Sequence, residues 1–250
     1  MTNAFPDKVD PAAGRAGHVG ELLPAYASGS VDEVAPWSVE AHLTACPDCL
    51  DPIEVSLMGV YLGGTLLLGV LGVLVVSAGY GTGTIRATLA AAPRRPMVLA
   101  AKVLVFGAVS LVVAEVVAFA GFLLGQALLT SPAPHATLSS PGALRAVVGT
   151  GLYLCVVGLL ALGIAVVVRH AAAAISVYVG VLLVLPIIFE ALPNPLQYQV
   201  ERLLPLEFGA VMLNNPAPHA FGPWVGLLIL CGYTVVVIAL GTILLVRRDA

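Results

Sequence analysis

From Val55 to Ile85 the chain holds no Asp, Glu, Lys or Arg, and four more apolar stretches follow it. A soluble core has no use for such runs, whereas about 20 apolar residues in helical conformation cross ~30 Å of hydrocarbon. The connectors between them collect Pro, Asn and charge, as they must where lipid offers the backbone no hydrogen-bond partners. Composition agrees, with 59% hydrophobic and 10% charged residues against roughly 25% charged in a soluble domain. The expected fold class is all-α: a polytopic membrane bundle of five transmembrane helices with a small N-terminal helical module. The spans are expected at about 55–80, 97–129, 146–168, 171–192 and 222–246. The first run is too short to be two spans, since residues 55–85 make about 46 Å of helix, less than two crossings require; a re-entrant piece within it stays open.

Charge divides the chain in two. Residues 1–54 carry nine acids and two bases, and residues 55–250 carry five acids and nine bases. The expected organisation is a disordered tail over 1–14, a polar module over 15–52 and a membrane domain over 53–250. The acidic module repels phosphate, so nucleic acid is not an expected partner. No basic start leads into an apolar run within the first ~30 residues, so the first span is expected to act as an uncleaved anchor. Arg86, Arg94, Arg95, Lys102, Arg169, Arg247 and Arg248 fall on one side of a five-span arrangement, against Arg145 and Arg202 on the other. The positive-inside rule then puts the C-terminus in the cytoplasm and the N-terminal module outside.

Within the module, His42, Cys46 and Cys49 form HxxxCxxC. His42 and Cys46 lie one helical turn apart on a shared face, and Cys49 follows across a Pro-Asp turn. A structural Zn²⁺ takes four tetrahedral Cys or His ligands, and His18 is the other candidate before the membrane. His18, His42, Cys46 and Cys49 therefore compose a candidate closed Cys2His2 site. The alternatives are a redox-active or disulfide-bonded Cys46–Cys49 pair and an exposed His18 without a role. Zinc would also explain how so short a module folds, because domains below ~40 residues usually need a staple.

The stretch HVGELLPAYASGSVDEVAPWSVEAHLTACPDC resembles the zinc-binding anti-sigma factor domain, in which a His or Cys on a first helix joins HxxxCxxC on a second to hold zinc. LLPAY after the upstream His and VEAHL before the Cys pair carry the likeness; Pro36 departs from it by delaying the second helix. The resemblance implies a sigma factor as a possible partner.

Residues 52–250 resemble the permease subunit of type-2 ABC transporters, most tellingly in GYGTGTIRATLAAAPRRPMVLAAK. In such permeases a glycine-bearing break after a span leads into a short interfacial helix that touches a separate ATPase subunit. Here Gly79, Gly81 and Gly83 interrupt the run, and Arg86, Arg94 and Arg95 stand where that coupling loop would be. The resemblance implies a homo- or heterodimer of permeases in a bacterial cell membrane and short re-entrant helices between the last two spans. Two features depart from it. Similar permeases carry an acid where this chain has Gly79, and the polar module stands where they have a first span. The chain cannot drive transport itself, because its lysines, Lys8 and Lys102, follow Asp7 and Ala101 and so form no GxxxxGK[ST] phosphate loop.

Four features inside the membrane part need a reading. Glu115 lies about 20 Å beyond Lys102, deep in the second span, where an ionisable group is a functional candidate; the plainer expectation is a protonated carboxyl hydrogen-bonded to a neighbouring helix. Glu190 is expected to snorkel to the interface. Cys155 and Cys231 read as small packing residues, and Gly121 and Gly125 as a GxxxG pair serving contact within the bundle. The segment LPNPLQYQVERLLPLEFGAVMLNNPAPHAFG is too polar to cross and is expected at the outer surface. No nucleophile with an adjacent base and no paired carboxylates are present, so no enzymatic activity is expected.

Overall fold

The computed structural model describes residues 51–81, 95–129, 136–189, 194–213 and 221–248. Among these, every regular element is helical and there are no strands.

Helix α1, Pro52–Gly81, starts on a full set of N-terminal signals. Asp51 Oδ1 accepts the Ile53 N–H at 2.8 Å as a cap, Pro52 occupies the first helical position, where a missing N–H costs nothing, and Glu54 complements the helix dipole in the first turn. α2, Arg95–Leu128, returns across the bundle. α3, Ala143–Val168, follows a turn that needs glycine, Gly142 at φ 86°. It ends at Arg169 in the left-handed conformation, whose N–H closes on Ala165 O at 2.8 Å. Only Arg169 and His170 then separate it from α4, Ala171–Phe189. α4 widens into a π-helical stretch at Gly180–Val184. Pro186 lies just beyond, and its missing N–H and ring clash with the preceding turn account for the disturbed ladder. Two short helices follow, α5, Asn194–Glu201, and α6, Pro205–Met212. α7, Pro223–Arg248, closes the chain.

Five of these helices, α1 to α4 and α7, are long and apolar enough to cross a membrane, and the protein is a multi-pass membrane protein. Their bounds agree with the sequence expectation within a few residues at each end, because the apolar runs and their Pro and Gly punctuation are local features. α3 is the hub. Two-thirds of its apolar window (67%) is buried inside the protein, against 17% for α2 and for α4, so α3 meets mainly protein while α2 and α4 present their valines and leucines outward to lipid.

Lipid tails are as apolar as Leu, so helix association here depends on close packing and internal hydrogen bonds. Gly72 of α1 lies directly on the Gly158 backbone of α3. Gly121 and Gly125 of α2 receive Val60 and Ser56 of α1, so the GxxxG pair packs within one bundle. Thr65, Ser77, Thr150 and Thr234 turn their hydroxyls back onto carbonyls four residues earlier, at 2.5 to 2.9 Å, which satisfies them inside their own helices. Cys155 and Cys231 are free, and Cys155 is buried with Sγ 3.4 Å from Ser110 Oγ.

The basic end holds together through arginine and lysine donors. Lys102 Nζ donates to Val75 O at 3.1 Å, and Arg169 Nη2 to Leu244 O at 3.4 Å. At the opposite end Gln126 fastens three segments: its Nε2 donates to Pro52 O at 2.8 Å and Ser56 Oγ at 2.9 Å, and its Oε1 accepts the Ala136 N–H at 2.7 Å.

The residues alone place the segment between the last two spans at the outer surface, and the permease resemblance implies short re-entrant helices there. α6 enters the bundle, with Phe208, Gly209, Val211 and Met212 buried. Its sequence, PLEFGAVM, is apolar enough to leave water once Pro205 has started the helix, and α3 supplies a glycine, Gly149, to receive Met212.

Candidate functional site

The insertion of α6 brings Tyr61, Tyr153 and Gly209 together inside the bundle. Gly209 faces the aromatic rings of Tyr61 on α1 and Tyr153 on α3; a Cβ at Gly209 would come within 2.7 to 2.8 Å of the Tyr153 ring. The approach is possible only because residue 209 has no side chain. The two rings stand 5.4 Å apart at an interplanar angle of 45°. Tyr61 lies nine residues after Pro52, or about 13 Å along α1, so α6 reaches well below the end of the bundle.

The hydroxyls of this cluster are directed at backbone carbonyls. Tyr61 OH donates to Leu206 O of α6 at 2.6 Å, Thr65 Oγ1 donates to Tyr61 O at 2.5 Å, and Tyr178 OH of α4 donates to Thr65 O at 2.6 Å. Tyr153 is fully buried, and its hydroxyl completes no hydrogen bond. The Thr65 and Tyr61 hydroxyls stand beside it, yet both aim their protons elsewhere. Glu207 lies on the first turn of α6 and is half-buried.

α6 is held from two further sides. Gly226 of α7 receives the Phe208 ring. At the turn between α5 and α6, Tyr233 OH donates to Leu203 O at 3.4 Å, and the Arg202 guanidinium lies over the Phe221 ring at 5.3 Å.

Of the residues singled out from sequence, Glu115 is described. It is half-buried on α2, and its carboxyl group lies against Gly151 of α3, where a Cβ would sit 2.5 Å from Cδ. Among the described residues it forms no hydrogen bond to α3, so the neighbouring helix offers it space rather than a donor. His18, His42, Cys46 and Cys49 lie outside the described residues, as do Arg86, Arg94 and Glu190. Arg95 opens α2. Among the described residues no group of three His, Cys, Asp or Glu could hold a metal. The donor set His18, His42, Cys46 and Cys49 fits zinc by its chemistry, two thiolates and two imidazoles in the number that a closed tetrahedral site takes.

Sequence reading missed the cluster of Tyr61, Tyr153, Tyr178 and Glu207. Tyrosine in an apolar span is compatible with lipid, packing and site roles alike, and these residues come from four separate elements. The available signal was Glu207 itself, an acid inside the short apolar stretch LEFGAVM.

A sequence model of the family described as "Putative zinc-finger" matches residues 18–50. No curated protein and no solved structure matches the chain. These findings support a five-span membrane protein with a zinc-finger module, and hence a zinc-binding segment, ahead of its first span.

Proposed function

We propose that the protein is the permease subunit of a type-2 ABC transporter, paired with a second permease and driven by a separate ATPase subunit. The observation that carries this reading is α6, a short helix inserted among spanning helices at one end of the bundle, sealed by Tyr61, Tyr153, Phe208 and Met212. A plain anchor has no use for backbone that enters the membrane and turns back; such backbone is tolerated where protein buries it or where it borders a path. In this reading the chain performs no chemistry of its own. Arg86, Arg94 and Arg95 form the docking face for the ATPase, the C-terminus is cytoplasmic, the N-terminal module is outside, and the host is a bacterial cell membrane. Copurification tests it. The full-length protein in nanodiscs is expected to bind the ATPase encoded beside it and raise its ATP turnover, and charge reversal at Arg94 and Arg95 is expected to abolish both. No binding and no stimulation by the intact protein would refute the reading.

A second reading is favoured by the zinc-finger match over residues 18–50: a membrane-anchored regulator whose module captures a sigma factor. It requires the module on the cytoplasmic side, against the distribution of basic residues. Full-length protein would then retain a sigma factor, and Cys46→Ser would release it.

A further inference from the structure

The seam between α2 and α3 holds an acid that the bundle makes room for and does not pair. Glu115 stands about 20 Å along α2 from Lys102 and about 16 Å from Gln126, at mid-depth in a helix of 34 residues. Its carboxyl rests on the Gly151 backbone of α3: a Cβ there would fall 2.5 Å from Cδ, 2.6 Å from Oε1 and 2.7 Å from Oε2. A side chain at position 151 would take the place of the carboxyl, and glycine leaves that place open.

One turn further along α3 the polar groups of the same seam answer each other. Ser110 Oγ lies 3.4 Å from Cys155 Sγ and 3.2 Å from Gly107 O, and Cys155 Sγ lies 3.4 Å from Gly107 O. Glu115 has no such counterpart: among the described residues it makes no hydrogen bond and no ion pair. Lys102, the base on its own helix, gives its ammonium to Val75 O. A carboxylate out of water is costly unless a cation or a hydrogen-bond donor faces it, and an ionisable group at this depth marks a functional place by default.

The surroundings define the chemistry of the missing counterpart. Glu115 is half-buried on the flank of α2, between the packed line of Ala114 and Ala118, 1% and 0% exposed, and the outward ridge of Val112 and Val116, 64% and 62% exposed. The carboxyl is therefore reached sideways, from the hydrocarbon. An inorganic cation does not suit it, because such an ion takes several ligands and among the described residues no group of three His, Cys, Asp or Glu is gathered. Another spanning helix laid on α2 would meet the valine ridge, whereas Glu115 is turned off that ridge towards Gly151. An organic ammonium fits. Its N–H donates to the carboxylate in a charge-assisted hydrogen bond, and its alkyl body stays in lipid beside the two valines.

We propose that Glu115 and Gly151 form an intramembrane binding site for a lipophilic amine in its ammonium form, admitted laterally from the bilayer. Binding does not depend on the permease reading, because a membrane-anchored regulator with this seam would take the same ligand.

The test uses the full-length protein in phosphatidylcholine nanodiscs, which carry no anionic lipid to compete for the amine. The probe is a dodecane chain with a dansyl group at one end and an ammonium at the other, titrated by its fluorescence; uptake by bilayer alone is linear, whereas a site saturates. Saturable binding is expected, about tenfold to hundredfold weaker in Glu115→Gln, the value of a charge-assisted hydrogen bond. In the native protein unlabelled dodecylammonium is expected to displace the probe and dodecanol is not, a comparison that needs no variant to fold. Equal uptake by native protein and Glu115→Gln, or displacement by dodecanol as effective as by the ammonium, would overturn the proposal. Discs loaded with one copy or with two separate the remaining occupant: saturation lost when a second copy is present would assign the carboxyl to a contact between copies and overturn it as well.

Discussion

Gly72→Ala tests the packing of this bundle at the point where α1 and α3 come closest. A Cβ added at Gly72 falls on the Gly158 carbonyl oxygen, with Gly158 C and Leu162 N both at 3.3 Å. These are backbone atoms of a helix and cannot rotate aside, so α1 has to move away as a body and loosen contacts along the seam. Overpacking of this kind costs about 1–3 kcal/mol. Alanine also gains about 0.5–1 kcal/mol over glycine in a helix interior, which would mask part of the loss. Gly59→Ala is the matched control, because a Cβ there meets nothing within 4 Å and the propensity gain is shared. The difference between the two variants therefore isolates packing, at about 1–3 kcal/mol. Reversible unfolding in mixed micelles with increasing SDS fraction, followed by circular dichroism, measures it. Equal stability of the two variants, or a more stable Gly72→Ala, would refute the close α1–α3 seam.

Three more outcomes follow from the hydrogen bonds and the donor set. Gln126→Leu removes the link between the α1 start, the α2 end and Ala136, and is expected to lower unfolding stability by about 1–3 kcal/mol through the unpaired Ala136 N–H. Tyr178→Phe loses the bond to Thr65 O and is expected to cost about 0.6–1.5 kcal/mol in the same assay, whereas Tyr153→Phe, which deletes an unpartnered hydroxyl, is expected to be neutral or stabilising; the reverse order would contradict the hydrogen-bond assignment. Elemental analysis of the purified protein is expected to find stoichiometric zinc, lost in Cys46→Ser and stripped by a strong chelator, while a metal-free native protein with Cys46 and Cys49 oxidised would establish the disulfide alternative.

What the sequence made legible was what local chemistry determines. The spans follow from apolar runs separated by polar connectors, and the GxxxG contact from Gly121 and Gly125. The HxxxCxxC donors carry their own meaning, because thiolates and an imidazole at one-turn spacing have few other uses. The seat of α6 was not legible, since it depends on which of several tyrosines meet in space. Tyr61 and Tyr153 become a site only because Gly209 allows a third helix between them, and no periodicity in α1 or α3 announces that. Glu115 illustrates the same limit from the other side: its place within the second span was read from its distance to Lys102, but its neighbour, Gly151, supplies no donor, and that fact belongs to the packing of α2 on α3.

In the proposed topology all five helices cross and the two ends of the chain lie on opposite faces of the membrane, the claim on which the placement of the zinc module depends. Paired reporters, one active only in the cytoplasm and one only outside, fused separately to each terminus of the full-length protein, measure it directly. The account predicts a cytoplasmic signal from the C-terminal fusion and an external signal from the N-terminal one. Cytoplasmic signals from both would contradict it, make one of the five helices a non-crossing segment, and bring the zinc module to the side where sigma factors are found.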